Sequence, residues 1–475
     1  MLEPFRKSSA TSRWSSKQAM PRRLPRRSAN TSTTFPRGMS RTSSSGGGRN
    51  SARRPELRES PACWPPFEFE ADVQSHGNAL SPSNITHGAT ESCVHMNTAN
   101  STRLRIGLLT PWNTSDPNAW SGVLTPMMAS LADRATLVTL STAGVPTALL
   151  DRALARLLGA VSSKKYLWDQ AIATSRARGR NASEVVRAAD VDVILAVAAS
   201  QDVAFLRSGG TPIVQVGDAT FKAIRDYYPM FTNLHPLSVV QQESVAQRSS
   251  RATDRFAMAT QWSIDSLVDD YGVAEGSCIL APFGPALTPA HSTSLSLPAD
   301  GTVQALLVTS DWARKGGDLA VRVVQEVRAQ HPEVTLTVVG NTPDDLPGWV
   351  ENLGRLPRQQ LAEQYERADV LLELATANAG GVTLTDAAAF GLPAIATDTG
   401  GVSSIVDDET TGILVPGGAD TFSAAVEALK RMADRQVRSR YAVGARERHE
   451  AILNWDSWAD AVVALCAEAA SARSR

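Results

Sequence analysis

From Arg103 onward, short apolar runs alternate with longer segments of helical period, and this alternation occurs in two series. The first series begins with the run at 104–110, which is followed by a predicted helix from about 122 to 132, and the second begins with the run at 303–309. Near the end of the second series the pattern predicts helices over 421–433 and 442–453. Strands that alternate with helices pair in parallel and form doubly wound sheets. The segment from Pro285 to Gly301 separates the two series. It is rich in Pro, Ser and Thr without a period, which is typical of a linker. The sequence therefore predicts an α/β protein with two Rossmann-like domains that face a cleft.

The length of the chain agrees with more than one domain. At a prior of about 150 residues per domain, 475 residues correspond to two or three units. We predict a first domain over 102–285 and a second over 300–454. The last segment, 455–475, has a helical pattern with apolar residues on one face, and we expect this helix to cross back to the first domain.

The first 101 residues have a different composition. Residues 1–60 contain twelve Arg and two Lys against three Glu, and Ser, Pro and Gly are frequent throughout the segment. Such a composition cannot fill a core and predicts a disordered tail. A transit peptide, an arm that binds nucleic acid or anionic membranes, and a true start at Met96 are the alternatives.

The bulk composition excludes several classes of protein. A formal net charge of -1 gives no general attraction to nucleic acid, and no specific nucleic-acid partner is expected. The four Cys form no CxxC pair and the seven His no HxxxH pair, so we expect neither a disulfide framework nor a metal site. The apolar run Val193–Ala199 is too short to cross a membrane, and no signal peptide is visible. These features favour a cytoplasmic protein, with peripheral contact at the inner membrane as the alternative.

The first candidate site is a glycine turn between a strand at 371–374 and a helix at 382–390. Its residues are Ala379, Gly380, Gly381, Val382 and Thr383. The start of a helix carries unpaired N–H groups and a partial positive charge, and glycine lets a phosphate approach the backbone. The alternative is a tight turn that needs glycine only for its geometry.

Two further glycine turns follow strands of the same series. Arg314 and Lys315 precede two glycines at a helix start, a pattern that suits a diphosphate, although a solvated pair of charges is the alternative. Another turn, T-G-G at 399–401, follows the strand at 393–397. Because parallel strands end at one edge of a sheet, we expect the three turns to form a nucleotide-diphosphate site.

Three more residues are candidates by position. Asp386 lies on the helix after the first glycine turn, where its carboxylate could accept hydrogen bonds from a ribose diol. Gly122 and Asp218 follow strands of the first series, so they are expected to face the cleft. The alternatives are an exposed helical acid for Asp386, an ordinary helix start for Gly122 and a solvated loop acid for Asp218. No GxGxxG follows the first strand, and neither a P-loop nor a GxSxG motif is present.

These residues together resemble the retaining glycosyltransferases of family 4, also called group 1, which have the GT-B fold. The matching segments are D-A-A-A-F-G-L-P at 386–393, G-G at 400–401 and R-K-G at 314–316. The region 260–284 also looks like the interdomain region of that family, and the resemblance covers roughly residues 103–470. It implies a nucleotide-sugar donor as co-substrate, retention of anomeric configuration, and no cofactor or bound metal.

The sequence departs from the family pattern at several of its functional positions. Asn378 and Asp386 stand where the family has two glutamates, which by resemblance contact the donor sugar and the ribose. Ser310 stands in the place of an arginine, and Gly217, beside Asp218, in the place of a first-domain histidine. The resemblance implies that the departing diphosphate is stabilised by Lys315, by Arg314 and by the amides of residues 380–382.

The predicted function is therefore a hexosyltransferase of this type. The catalytic candidates are Lys315, Arg314 and Asp218, and the donor-binding candidates are Gly122 and the residues 378, 380–383 and 386. The acceptor class is open between a glycan, a lipid-linked compound and a small molecule. A non-catalytic sugar-nucleotide-binding or scaffolding protein of the same fold is the alternative function, and a GT-B epimerase or phosphorylase is a further one.

Overall fold

The computed structural model describes residues 103–145, 149–289 and 301–473. The predicted disordered tail lies outside the described residues, as does the part of the predicted linker from 290 to 300. The described residues form two six-stranded sheets, and all the strand pairs within them are parallel. Helices alternate with the strands, so the predicted α/β class with two Rossmann-like domains is confirmed.

The first sheet has the strand order β2-β1-β3-β4-β5-β6. Its strands are β1 (Arg105–Thr110), β2 (Thr136–Ser141), β3 (Val193–Val197), β4 (Ile213–Gly217), β5 (Arg255–Met258) and β6 (Cys278–Leu280). Its helices are α1 (Leu124–Arg134), α2 (Leu149–Val161), α3 (Ile172–Ala188), α4 (Ser200–Val203), α5 (Phe221–Ile224), α6 (Pro236–Ala252) and α7 (Gln261–Tyr271).

The second sheet has the order β12-β11-β10-β7-β8-β9. Its strands are β7 (Val303–Thr309), β8 (Val334–Gly340), β9 (Val350–Asn352), β10 (Val370–Glu373), β11 (Ala394–Asp398) and β12 (Gly412–Pro416). Its helices are α8 (Gly317–Arg328), α9 (Arg358–Arg367), α10 (Val382–Ala389), α11 (Thr421–Ala433) and α12 (Arg435–Ala451).

Burial explains why the central strands consist of apolar residues. Every residue of β3 is buried, as is every residue of β10, because helices cover both faces of a doubly wound sheet. The chain leaves β7 to β8 on one side and later returns to β10 on the other side, so the strand order reverses between β7 and β10. Crevices open at such reversals, beyond the carboxyl ends of the strands. The loops after β7 and β10 are therefore brought together at this point.

The last helix, α13 (Trp455–Arg473), packs against the first domain. Trp458 is buried in the same apolar cluster as residues of β1, β3 and α1. The Ser130 hydroxyl of α1 donates to the Trp455 carbonyl at 2.9 Å, and the Trp455 indole donates to the Pro285 carbonyl at 2.7 Å. The helix thus joins the C-terminus to the first domain and to the segment that leads into the second.

Element boundaries differ from the expectations in several places. The helix predicted from Gly122 begins at Leu124, because Gly122 has a φ of 81° and ends a short turn instead. Helix α12 begins at Arg435 rather than near 442, where the Asp434 carboxylate caps it by accepting from the Gln436 amide. The short edge strands β9 and β12 were not predicted. No helix among the described residues is long and apolar enough to cross a membrane.

Candidate functional site

The glycine turn after β10 is shaped by contacts that exclude side chains. Gly381 has a φ of 59° and immediately precedes α10, and a Cβ there would overlap the Ile405 side chain. Gly380 lies against the first domain, since a Cβ on it would be 2.9 Å from an Asp218 carboxylate oxygen. Glycine is therefore required both for the left-handed backbone and for close approach of the two domains.

The turn after β7 lies directly beside the end of β10. Gly316 has a φ of 71° and precedes α8, and a Cβ there would overlap the carbonyl of Leu374. The Arg314 carbonyl accepts from the Thr376 amide at 2.8 Å, and its guanidinium donates to the Ala377 carbonyl at 3.0 Å. The structure therefore brings together the two turns that the sequence analysis singled out, at the reversal of the second sheet.

Lys315 is buried in this turn and forms an ion pair. Its side chain is 9% exposed, and its ammonium lies 2.5 Å from a carboxylate oxygen of Glu373, whose side chain is 1% exposed. The ammonium also donates to the Thr383 hydroxyl at 3.2 Å. Burial lowers the pKa of Lys315, and the neighbouring Glu373 carboxylate opposes that shift. The lysine is thus held close to the start of α10 by a buried carboxylate.

Glu373 was missed by the sequence analysis. Besides Lys315, it accepts from the Asn378 side-chain amide at 3.1 Å and from the Thr383 hydroxyl at 2.9 Å. An acid is rarely buried without a partner, so a glutamate within the apolar run V-L-L-E-L was the signal that could have identified it. Through these contacts one carboxylate connects the lysine turn with the glycine turn.

Asn378 and Asp386 are both buried and both have partners within the protein. The Asn378 side-chain oxygen accepts from the Gly381 amide at 3.0 Å, so this residue holds the glycine turn in shape. One Asp386 oxygen accepts from the amides of Ala286 at 2.7 Å and Leu287 at 2.9 Å. Burial raises the pKa of Asp386 to about 7, although these two amides act in the opposite direction. The roles of both side chains toward a donor stay predictions.

Two tyrosines of the first domain, also missed by the sequence analysis, contact the glycine turn. The Tyr227 hydroxyl accepts from the Asn378 amide at 2.9 Å and lies 2.9 Å from the Thr399 hydroxyl. The Tyr228 hydroxyl accepts from the Ala379 amide at 2.8 Å, and burial raises its pKa. They follow the short helix α5 in the connection from β4 to α6. This connection begins with the candidate Asp218 at the carboxyl edge of the first sheet, which was an available signal.

Asp218 lies where the first domain meets the Gly380 turn. Burial raises the pKa of its carboxyl to about 6, because the ionised form loses solvation there. Gly217, which stands in the place of the family histidine, is the last residue of β4 and immediately precedes it. The expectation that Asp218 faces the cleft therefore agrees with its contact across the domains.

Gly122 is also placed at the junction of the domains, but its contact is a protein side chain. A Cβ at this position would overlap the Arg358 guanidinium of α9. That guanidinium donates to the carbonyls of Pro117, at 3.3 Å, and Ala286. Since the Ala286 amide donates to Asp386, these contacts connect Gly122 with the Asp386 side of the site.

The third glycine turn serves packing in this structure. The Gly401 amide donates to the Asn378 carbonyl at 3.0 Å, and a Cβ on Gly401 would overlap both the Ala379 carbonyl and the Thr260 side chain. A Cβ on Gly400 would overlap the Tyr227 hydroxyl. This turn therefore packs against the first glycine turn and also contacts the first domain.

The described residues contain no group of three or more His, Cys, Asp or Glu side chains arranged to hold a metal ion. What the site offers is a set of amides, one lysine and one arginine at two adjacent turns. Such a set can neutralise an anion by charge and by hydrogen bonds from the backbone.

The chain is similar in sequence to known glycosyltransferases. Residues 304–432 match the family model described as Glycosyl transferases group 1, and this range contains both turns. Over 249 residues the chain is 27% identical to a D-inositol 3-phosphate glycosyltransferase of Acidothermus cellulolyticus, which covers 47% of this chain and 55% of that protein. Over 161 residues it is 32% identical to a GDP-mannose-dependent alpha-(1-6)-phosphatidylinositol monomannoside mannosyltransferase of Mycolicibacterium smegmatis, covering 30% of this chain and 41% of that protein. The chain thus spans about half the length of these curated relatives.

A solved structure extends the likeness to both domains. The sucrose-phosphate synthase of Thermosynechococcus elongatus superposes with a TM-score of 0.58 at 18% identity, over 78% of this chain and 100% of that chain. At this identity the likeness shows the fold alone, which is the two-domain GT-B architecture.

Proposed function

We propose that this protein is a glycosyltransferase that moves a hexosyl group from a nucleotide-sugar donor to an acceptor hydroxyl. We further propose that it retains the anomeric configuration and uses neither a cofactor nor a bound metal ion. One observation carries the proposal. The lysine turn after β7 and the glycine turn before α10 lie side by side within the segment that matches the group 1 glycosyl transferases.

The donor diphosphate would bind at the start of α10. The amides of Gly380, Gly381 and Val382 precede or begin the helix, where the dipole favours an anion. The Gly381 amide donates to the Asn378 side-chain oxygen, which a phosphate oxygen would replace when the donor binds. The Lys315 ammonium is paired with Glu373 and donates to Thr383 in the first turn of the same helix, so the third of its N–H groups can donate to a phosphate oxygen at the helix end. Arg314 supplies a second cation at the neighbouring turn. This arrangement suits a nucleoside diphosphate better than a neutral ligand.

Cleavage of the donor follows from these charges. When the bond between the anomeric carbon and the phosphate oxygen breaks, negative charge develops on the diphosphate. Lys315, Arg314 and the amides of the glycine turn would stabilise that charge in the transition state. Asp218 lies against Gly380 and has a pKa raised to about 6, so we propose it as the group that accepts the proton of the attacking hydroxyl.

The ribose and sugar contacts are the finer part of the proposal. Asp386 would accept from a ribose hydroxyl with the carboxylate oxygen that is not engaged by Ala286 and Leu287. Asn378 would contact the donor sugar, and Gly122 would border the donor from the first domain. The names of the two curated relatives refer to inositol-containing acceptors, which supports a polyol hydroxyl as acceptor.

A second function is favoured by one observation. Asn378 and Asp386, which replace the two family glutamates, already have hydrogen-bond partners within the protein. A protein that binds nucleotide sugars without transferring the sugar would tolerate such replacements.

Calorimetry with UDP-, GDP- and ADP-sugars, combined with an assay for released nucleoside diphosphate, tests both functions. We expect one base to bind and its diphosphate to be released when an acceptor is present. NMR of the anomeric proton of the product then reports retention or inversion. Binding without release would support the second function, and the absence of binding to all three bases would refute both.

A further inference from the structure

A cavity in the first domain has a lining that the donor site does not account for. Its volume is about 210 Å³, and it lies among β4, α4, α5 and α6. This equals the liquid volume of about seven waters at about 30 Å³ each, which is room for one monosaccharide-sized group. Four glutamines line it: Gln170, Gln201, Gln215 and Gln242. Apolar side chains, among them Phe221, Met258 and Leu267, form much of the remaining lining. The size and this mixed lining suit a compact ring that carries hydroxyl groups and has apolar faces.

The cavity reaches the junction of the two domains. Asp218 is one of its lining residues, and the same carboxylate lies against Gly380 of the second domain. A hydroxyl group bound beside Asp218 would therefore be adjacent to the turn where the donor is proposed to bind. The cavity is thus placed to hold the acceptor.

The lining provides hydrogen-bond acceptors rather than positive charge. The Gln201 side-chain oxygen is buried and has no hydrogen-bond partner among the described residues. Such an oxygen needs an N–H or O–H donor, which a hydroxyl group offers and a fully ionised phosphate group does not. The Asp218 carboxylate likewise attracts hydroxyl donors and repels anions.

Cations near the cavity are already engaged. Among the described residues that line it, there is no lysine, arginine or histidine. On the surrounding elements, Arg178 pairs with Asp202 at 3.0 Å and Lys222 with Asp270 at 3.0 Å. Arg248 of α6 donates to the Ala204 carbonyl at 3.4 Å and lies over the Phe205 ring. Each of these three cations is therefore engaged by another group of the protein.

We propose that this cavity is the acceptor site and that it selects an uncharged polyol ring over its phosphorylated form. The proposal rests on the proposed function, because it assigns the acceptor of that same reaction. Gln201 and Asp218 are the residues that recognise the acceptor hydroxyls. The rejection of anions follows from the carboxylate and from the absence of a cation among the described lining residues.

Ligand-observed NMR tests the selectivity on the full chain without a donor. The probes are glucose, mannose and myo-inositol, each compared with its monophosphate. We expect at least one uncharged probe to bind at least tenfold more tightly than its phosphate. Equal or tighter binding of the phosphates, or the absence of binding by every uncharged probe, would overturn the proposal.

Substitutions at Gln201 test whether the probes bind in this cavity. Gln201→Leu removes the unpaired oxygen at similar size, and we expect it to weaken the uncharged probe at least tenfold without lowering the melting temperature. Gln201→Lys supplies a cation, so it should reduce the ratio between the affinity for the uncharged probe and the affinity for its monophosphate. Gln436→Leu, at an exposed position of α12, is the matched control and should leave both affinities unchanged. Unchanged binding in Gln201→Leu would contradict the assignment.

The two proposals fail in different ways. Nucleotide-sugar binding is measured by calorimetry in the absence of acceptor, so its failure refutes the proposed function whatever the cavity binds. If nucleoside diphosphate is released preferentially with a phosphorylated acceptor, the transfer function stands and the selectivity proposed here is wrong.

Discussion

The ion pair between Lys315 and Glu373 offers a test that separates folding from catalysis. Both side chains are almost fully buried, and their charged atoms are 2.5 Å apart. Removal of one partner leaves an uncompensated charge in the interior, which typically costs about 3–5 kcal/mol. We therefore expect Lys315→Met and Glu373→Gln each to lower the free energy of unfolding by about that amount.

The double variant should behave differently. With both charges removed, no ion of this pair remains buried without its partner. The amide introduced by Glu373→Gln keeps an oxygen that accepts from Asn378, and its NH2 group can donate to the Thr383 hydroxyl. We expect most of the lost stability to return, with a coupling energy of at least about 2 kcal/mol in the double-mutant cycle. Urea denaturation of the four proteins at neutral pH measures this quantity.

Activity of the double variant then isolates the role of the lysine. If Lys315 stabilises the departing diphosphate, the folded double variant should still lose about 2–4 kcal/mol of transition-state stabilisation, or about 30- to 1000-fold in kcat/KM. A coupling energy below about 0.5 kcal/mol would refute the buried-pair reasoning, and wild-type turnover in the double variant would refute the role of the lysine. The surface pair between Lys430 and Glu427 is the control, since the cycle of Lys430→Met and Glu427→Gln should give a pair coupling below about 1 kcal/mol.

Three further predictions concern the glycine turn and its neighbours. Tyr228→Phe leaves the Ala379 amide without its partner and should cost about 1–3 kcal/mol of unfolding free energy in urea titrations, and no change would contradict that contact. Gly381→Ala places a Cβ against Ile405 at positive φ, so the melting temperature should fall by several degrees, whereas an unchanged value would show that the turn adapts. The pKa of Asp386 is raised to about 7 in the folded protein, above its ordinary value of 3.8. The folded state therefore binds more protons than the unfolded state, and the free energy of unfolding should fall as the pH rises from about 4 to about 7. Asp386→Asn removes this contribution, and an identical pH dependence in the variant and the parent, measured by denaturation across that range, would refute it.

Much of the fold could be predicted because its determinants are local. The strand β7 and the helix α11 have the bounds that their apolar patterns predicted, since period and flanking glycines act within a few residues. Edge strands such as β9 have only three residues and one buried position, so their pattern is too short to distinguish from a loop. The start of α12 was missed because its first turns are polar.

The candidate site was predicted only in part. The sequence determined that Lys315 and Gly381 follow strands of one parallel sheet, and geometry alone then requires their turns to share an edge. Glycine also marked the left-handed backbone at positions 316 and 381, whereas Ala198 and Asp226 adopt positive φ without such a mark.

The tertiary structure decided what these residues contact. The Tyr227 hydroxyl accepts from the Asn378 amide, although the two residues are 151 positions apart in the chain. The Asp386 carboxylate accepts from the Ala286 amide, which is 100 positions away. No local pattern encodes such pairs, because they depend on how the two domains close on each other. The sequence thus determined where the lysine turn and the glycine turn lie. Only the fold determined that Glu373 would hold the lysine there, since burial is what requires a charged group to find a partner.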